Sequence, residues 1–185
     1  MSNIFIIHGT GSNPENNWFP WLKTELEKSG HQVLIPKFPT PKNQSLQTWL
    51  ETFENYQQYL NEETIVVGHS LGVAFLLSIL ENLKQPIKAA FFVSGFIGPL
   101  NNPEFDTLNQ TFVTKTFAWE KIKKSCPKFF IINSDNDPYI CLEKGAELAK
   151  NLDSELIILK NAGHINKESG HTKFEFLLKK IKEIV

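Results

Sequence analysis

Apolar residues along the chain form two kinds of stretch. Short, nearly continuous apolar runs are typical of parallel strands that helices cover on both faces. These runs predict strands over residues 4–7, 33–35, 65–67, 87–93, 129–132 and 156–159. Segments with apolar residues near helical spacing, ended by Gly, Pro or polar clusters, predict helices between the strands. The predicted helices cover residues 17–29, 45–60, 74–83, 119–124, 142–152 and 171–184.

The order of these elements predicts the fold class. Strands and helices alternate along the whole chain, which favours a doubly wound α/β domain with a mainly parallel sheet of about six strands and helices on both faces. No repeat or linker divides the sequence, so residues 1–185 are predicted to form a single domain. In such sheets the ligand site lies at the carboxyl ends of the strands.

Residues 96–116 interrupt this alternation. Gly98, Pro99 and Pro103 punctuate the segment, and it is predicted to be largely irregular. The slightly longer stretch 96–119 is nevertheless rich in apolar side chains for a loop. Its aromatic and aliphatic residues either cover the edge of the sheet or form an apolar wall for a substrate, and the sequence leaves both interpretations open. The residues concerned are Phe96, Ile97, Leu100, Phe105, Leu108, Phe112, Phe117 and Trp119.

The most informative motif is Gly68-His69-Ser70-Leu71-Gly72, between a predicted strand and a predicted helix. A serine at a sharp strand-to-helix turn, flanked two residues away by glycines, is the nucleophile elbow of α/β-hydrolases. The glycines allow backbone segments to approach closely where side chains would collide. The turn exposes the Ser70 hydroxyl and leaves the Leu71 N–H at a helix N-terminus, where it can stabilise an oxyanion.

A serine hydroxyl needs a neighbouring base, and the base needs a carboxylate to orient it. Ser70, Asp137 and His164 follow three different predicted strands, in the chain order of α/β-hydrolase triads. Asp137 is favoured over Asp135 because it lies at the turn that leads into a helix. His164, which follows Gly163 in a loop, is favoured over His171, which is predicted to begin the final helix.

The remaining histidines are given supporting roles. His69 and His31 are interpreted as structural, and His8 is expected to brace the loop after the first strand without transferring protons. That loop should supply the second oxyanion donor, because two N–H groups are needed. Thr10 is the preferred donor, with Gly11 next.

Several of these features together resemble one family. They are His8-Gly9 near the N-terminus, the helix entry 17–22, the elbow, the segment 134–137 and Ala162-Gly163-His164. The chain resembles the small α/β-hydrolases of the retinoblastoma-binding-protein-9 and bacterial YdeN-like serine hydrolase family. This resemblance implies a compact α/β-hydrolase fold with little or no lid and a Ser-Asp-His triad. A member of this family is associated with binding retinoblastoma protein through the motif Leu-x-Cys-x-Glu. Residues 139–143 lack the leading leucine of this motif, so retinoblastoma protein is not predicted to be a partner.

Composition excludes some classes of binding partner and indicates a cellular compartment. A formal net charge of −1 gives no electrostatic footprint for nucleic acid or for an anionic membrane. The N-terminus lacks the pattern of a signal peptide, and no segment has the length of a membrane span. Cys126 and Cys141 show no metal-binding spacing, so a reduced, cytoplasmic setting is expected.

The sequence therefore predicts a serine hydrolase that cleaves a small ester or amide through an acyl-enzyme. The substrate would be a small molecule or a short peptide-like compound, and neither a cofactor nor a metal is expected. The alternative is a non-catalytic binding module on a hydrolase fold, because fold alone does not prove chemistry.

Overall fold

The computed structural model describes residues 1–185. Its centre is a six-stranded sheet in the order β2-β1-β3-β4-β5-β6, in which every neighbouring pair is parallel. The strands are β1 (Asn3–Ile7), β2 (Gln32–Leu34), β3 (Ile65–His69), β4 (Ala89–Val93), β5 (Phe129–Ser134) and β6 (Leu156–Leu159). The predicted parallel α/β architecture is confirmed.

Seven α-helices surround this sheet. They are α1 (Phe19–Glu27), α2 (Leu46–Glu54), α3 (Leu71–Leu80), α4 (Pro103–Val113), α5 (Trp119–Ser125), α6 (Leu142–Asn151) and α7 (Glu175–Lys182). A short 3-10 helix, Gln57–Tyr59, follows α2, so the helix predicted over 45–60 is shorter than expected. No helix combines the length and the apolar character needed to cross a membrane.

Two apolar layers form the core, one on each face of the sheet. Successive side chains of a strand point to opposite faces, and β1 shows this directly. Ile4 and Ile6 pack with α1 and α7, whereas Phe5 and Ile7 pack with the helices α2 to α6. Every residue of α3 is buried, as expected for a helix that is apolar on all sides. The elbow therefore lies at the middle of the molecule, between a central strand and an enclosed helix.

The prediction that residues 96–116 are largely irregular is wrong, because α4 occupies 103–113. The side chain of Asn102 caps this helix by accepting from the backbone N–H groups of Glu104 and Phe105, at 3.1 and 3.3 Å. Pro103 lies in the first turn, where its missing N–H costs nothing. Pro103, which predicts a break in the sequence, is thus part of a helix start together with Asn102.

The prediction that His171 begins the final helix is also wrong, since α7 begins at Glu175. Gly170 has a φ of 88°, a conformation that a helix does not accept. The His171 N–H donates to the carbonyl of Asn166 at 2.9 Å, which closes a turn before the helix. His171 therefore belongs to the loop that precedes α7.

Candidate active site

The elbow turns at Ser70, whose φ and ψ are 55° and −123°. This conformation is strained for a residue with a side chain. Close backbone packing around Ser70 leaves no room for a side chain at two neighbouring glycine positions. A Cβ at Gly72 would lie 2.4 Å from the carbonyl oxygen of Ile7, and a Cβ at Gly9 would lie 2.8 Å from the Ser70 Cβ. The glycines are therefore required for the turn.

Asp137 and His164 form a close pair. The Asp137 Oδ2 lies 2.7 Å from the His164 Nδ1, and the Asp137 carboxylate is fully buried. The other carboxylate oxygen accepts from the N–H groups of Tyr139 and Ile140, at 2.9 and 3.0 Å. Burial by itself would raise the pKa of Asp137, but the hydrogen bond and charge of His164, with these two amides, outweigh it and lower the pKa. The carboxylate is thus ionised where it meets the imidazole.

Asp135, the competing acid, has a different partner. Its Oδ1 accepts from the N–H of Asn161 at 2.8 Å and so joins the loops after β5 and β6. The geometry brings His164 together with Asp137 rather than with Asp135.

Ser70 and His164 line the same cavity. Because the His164 Nδ1 is engaged by Asp137, its Nε2 is the nitrogen left to serve Ser70. No hydrogen bond joins the Ser70 Oγ to the His164 Nε2 in this structure. Catalytic hydrogen bonds of this kind are often longer without substrate and tighten when it binds.

Two backbone N–H groups beside Ser70 are available to a ligand. Leu71 is the first residue of α3, so its N–H has no partner within the helix. The Thr10 N–H donates to no protein acceptor, whereas the Gly11 N–H donates to the Thr40 Oγ1 at 2.7 Å. Between the two predicted alternatives for the second donor, this geometry favours Thr10.

The chain is similar to known proteins over almost its whole length. A family model described as serine hydrolase matches residues 4–183. The chain belongs to this serine hydrolase family. YdeN of Bacillus subtilis (strain 168) is 34% identical over 171 residues, which cover 91% of this chain and 88% of that protein. The serine hydrolase RBBP9 of Rattus norvegicus is 26% identical over 179 residues, which cover 96% and 91%.

Solved structures show the same relationship for this serine hydrolase. The crystal structure of the ydeN gene product from B. subtilis superposes with a TM-score of 0.93 and 31% identity, covering 100% of this chain and 98% of that one. The crystal structure of esterase PE8 has a TM-score of 0.64 at 19% identity, covering 100% and 93%. The second likeness shows the α/β-hydrolase fold alone.

Three acceptor side chains at the end of β5 and just after it hold the loop that carries His164, which we call the histidine loop (residues 160–171). The Ser134 Oγ accepts from the Ala162 N–H at 2.9 Å, and the Asn136 Oδ1 accepts from the Gly163 N–H at 2.8 Å. Asp135 supplies the third contact, described above. The polar segment 134–137 of this serine hydrolase therefore positions His164 as well as carrying Asp137.

The structure gives His69 a role that the sequence left undefined. Its Nε2 lies 3.0 Å from the carbonyl oxygen of His164, and the two rings lie 4.9 Å apart between centroids. Its Nδ1 is buried and has no hydrogen-bond partner. Burial, and then the charge of His164, lower the pKa of His69 to about 3. His69 is therefore a neutral donor that holds the backbone of His164.

His8 lies where the sequence predicted a brace. Its Nε2 accepts from the Phe38 N–H at 3.1 Å, and its Nδ1 lies 3.0 Å from the carbonyl oxygen of Gly9. Burial lowers the pKa of His8, which favours the neutral ring that this pattern needs. The ring thus fixes the backbone just before Thr10.

The cleft has two sides that share Thr10, Ser70, His164, Asn166 and Glu168. One, which we call the apolar side, has a volume of about 280 Å³ and contains all the apolar residues of the cleft, and it is lined in addition by Phe96, Leu100, Phe105, Asn109, Tyr139 and Ile140. The other, the polar side, has a volume of about 180 Å³, contains no apolar side chain and is lined in addition by Ser12, Asn16 and Asn17. A larger cavity of about 660 Å³ lies between α2 and α3, and none of the three predicted triad residues lines it.

The apolar stretch 96–119 is divided between the cleft and the core. Phe96, Leu100 and Phe105 line the cleft, whereas Phe112 and Phe117 are buried in the core. The sequence did not indicate Asn109 or Tyr139 as cleft residues. Asn109 is carried there by α4, and the helix start at Asn102-Pro103 is the signal that could have revealed it.

Proposed function

We propose that this serine hydrolase cleaves a small ester or amide through Ser70, His164 and Asp137, with an acyl-enzyme intermediate. The observation that carries the proposal is the 2.7 Å contact between Asp137 and His164, in a cleft that the strained Ser70 shares. The Thr10 and Leu71 N–H groups beside Ser70 add the donors that acyl transfer requires.

The proposed reaction has two halves. The His164 Nε2 removes the proton from the Ser70 Oγ as this oxygen attacks the substrate carbonyl carbon. The oxyanion that forms accepts from the Leu71 and Thr10 N–H groups. The bond to the leaving group then breaks, and the leaving group takes the proton from His164. A water molecule, activated in turn by His164, hydrolyses the acyl-enzyme and restores Ser70.

Asp137 acts through His164 in this mechanism. Its lowered pKa keeps it ionised, so that it fixes the imidazole tautomer and stabilises the imidazolium. In the step that forms the acyl-enzyme, His164 must be neutral so that its Nε2 can accept the Ser70 proton.

The cleft supports a small substrate of mixed character. An apolar side of about 280 Å³ suits one short aliphatic or aromatic substituent, and the polar side suits a substituent with hydrogen-bonding groups. A small molecule or a short peptide-like compound meets both conditions.

Covalent labelling tests the proposal directly. A fluorophosphonate probe should add to Ser70, as located by mass spectrometry of the digested protein. Ser70→Ala should abolish both labelling and ester turnover, whereas Ser29→Ala, at an exposed serine after α1, should affect neither. Folded wild-type protein that stays unlabelled while a known serine hydrolase reacts would contradict the proposal.

A further inference from the structure

Asn109 is a polar side chain on the apolar side of the cleft, and it has no part in the reaction proposed above. Asn109 lies on α4 and is only 3% exposed, yet it lines the cavity that contains Ser70. Its neighbours in that wall include Phe96, Leu100 and Phe105. A buried amide among such residues needs a partner for each of its polar atoms.

The orientation of this amide is fixed by a chain of hydrogen bonds. The Leu108 carbonyl, which can only accept, receives a hydrogen bond at 2.9 Å from Gln44, so the atom of Gln44 at this position is its Nε2. The same Nε2 donates to Asn109 at 2.9 Å, so the atom of Asn109 that faces it is Oδ1. The Thr10 Oγ1 donates to this oxygen too, at 2.7 Å. Both lone pairs of the Asn109 Oδ1 are thereby used.

The Asn109 Nδ2 is consequently the atom left for the cavity. It donates to no protein acceptor. It is also not fully enclosed, because the fully enclosed side-chain atoms without a partner are the His69 Nδ1 and the Asn133 Oδ1. The apolar side of the cleft therefore contains a hydrogen-bond donor whose position is fixed through Thr10 and Gln44.

We infer that Asn109 selects substrates whose substituent in the apolar side carries a hydrogen-bond-accepting oxygen, such as an ether, hydroxyl or carbonyl oxygen. This inference rests on the proposed function. A wholly apolar substituent would displace water from the Asn109 Nδ2 and leave the donor unpaired. A site built around such a donor rejects the isostere that lacks the acceptor.

Isosteric ester pairs test this selection for both substituents of the substrate. One pair is p-nitrophenyl 3-methoxypropanoate and p-nitrophenyl pentanoate, which differ in the acyl group. The other is 2-methoxyethyl acetate and butyl acetate, which differ in the alcohol. For at least one pair, the wild-type kcat/KM ratio of ether ester to alkyl ester should exceed the ratio for alkaline hydrolysis by about tenfold, the value of one neutral hydrogen bond.

Asn109→Asp is the variant that isolates the donor. It retains an oxygen for Thr10 and Gln44 and replaces the cavity-facing NH₂ by an acceptor. Its ratio should fall to the alkaline value or below. Gln110→Glu makes the same chemical change at an exposed position of α4, and its ratio should equal that of the wild type.

The outcomes separate this inference from the proposed function. If the wild-type ratios equal the alkaline ratios for both pairs, or if Asn109→Asp leaves an elevated ratio unchanged, the inference is overturned. Protein that a fluorophosphonate labels but that hydrolyses none of these esters overturns it as well. Failure of Ser70 to label overturns the proposed function, and this inference with it. The wild-type ratios decide the matter even if Asn109→Asp does not fold.

Discussion

The elbow (residues 68–72) and the histidine loop (residues 160–171) meet at the cleft, but they are held in place in different ways. The elbow joins the end of central strand β3 to the start of the fully buried helix α3. The histidine loop follows edge strand β6, beside which there is no further strand. Steric packing of backbone positions the first, and hydrogen bonds from distant side chains position the second.

The elbow is determined by neighbours that are almost all local or on the adjacent strand. Gly72 packs against the carbonyls of Ile7 and His8 so closely that an added Cβ would lie 2.4 and 2.8 Å from their oxygens. The Ser70 N–H donates to the carbonyl of Val93 on β4 at 2.9 Å. Few alternatives exist for a chain enclosed in this way, so the strained φ of Ser70 is imposed by packing.

The histidine loop contains its own strained residue. Ile165 has a φ of 49°, which is unusual for a β-branched side chain, and it is completely buried. The carbonyl of His164 accepts from His69 at 3.0 Å and from the Ser94 Oγ at 3.3 Å. The Trp18 indole N–H donates to the carbonyl of Ile165 at 2.9 Å. The conformation of His164 therefore depends on residues from β3, from the end of β4 and from just before α1.

The largest expected effect comes from breaking the contact between His164, in the histidine loop, and Asp137. Asp137→Asn preserves the shape of the side chain but presents an amide to the His164 Nδ1, which favours the wrong tautomer. We expect turnover of a p-nitrophenyl ester to fall on the order of 10⁴-fold, the scale known for this change in a serine protease triad. Steady-state kinetics with a circular dichroism check of folding would measure it.

Asp135→Asn is the matched control for this prediction. Asp135 accepts from the Asn161 N–H through one oxygen, and an asparagine retains that acceptor. We expect turnover to change by less than about threefold, because no charge next to His164 is removed. A large loss in Asp135→Asn with normal turnover in Asp137→Asn would identify the wrong acid in the proposed mechanism.

The difference between the two regions explains what the sequence could predict. Continuous apolar runs and helical spacing indicated all six strands and the parallel sheet, because burial on both faces leaves a strong pattern. Ser70 and Leu71 could be found from five consecutive residues. α4 was missed because Asn-Pro serves both as a turn signal and as a helix start, and only the side-chain cap at Asn102 distinguishes them.

The surroundings of His164 could not be predicted in this way. Trp18 lies 147 residues from Ile165 along the chain, and nothing in either local pattern indicates their hydrogen bond. Asn109 reaches the cleft only because α4 exists and Gln44 orients its amide. Contacts of this kind depend on tertiary packing, which a single sequence does not encode locally.

The next largest effect concerns His69, which connects the elbow strand to the histidine loop. Its pKa is lowered to about 3 by burial and by the nearby charge of His164, with a smaller contribution from His8, although the His164 carbonyl and Asp137 oppose the shift. Its buried Nδ1 has no acceptor for an added proton. The unfolded chain binds this proton below a pH of about 6.5, so acid favours unfolding from there down to about pH 3.

Denaturant unfolding at pH 7 and pH 4 would measure this effect. When the pH falls from 7 to 4, the presence of His69 should lower the free energy of unfolding by roughly 3 kcal/mol. His69→Gln should not show this loss. The control His171→Gln, in the loop before α7, should lose as much stability as the wild type. Equal losses in the wild type and in His69→Gln would show that His69 does not resist protonation in the folded protein.

The smallest expected effect is that of Trp18→Phe, which distinguishes a role of Trp18 in positioning His164 from a role in stability alone. Trp18→Phe removes the indole N–H and leaves the buried carbonyl of Ile165 without its donor, at a cost of about 1–3 kcal/mol. Because Ile165 directly follows His164 and has a strained φ, the loop should relax and kcat should fall about three- to tenfold with little change in KM. Trp21→Phe removes the same atoms from a half-buried residue of α1 whose indole N–H has no protein acceptor, so it should leave kcat unchanged. Equal kcat in both variants, measured with a saturating p-nitrophenyl ester, would mean that Trp18 stabilises the fold without positioning His164.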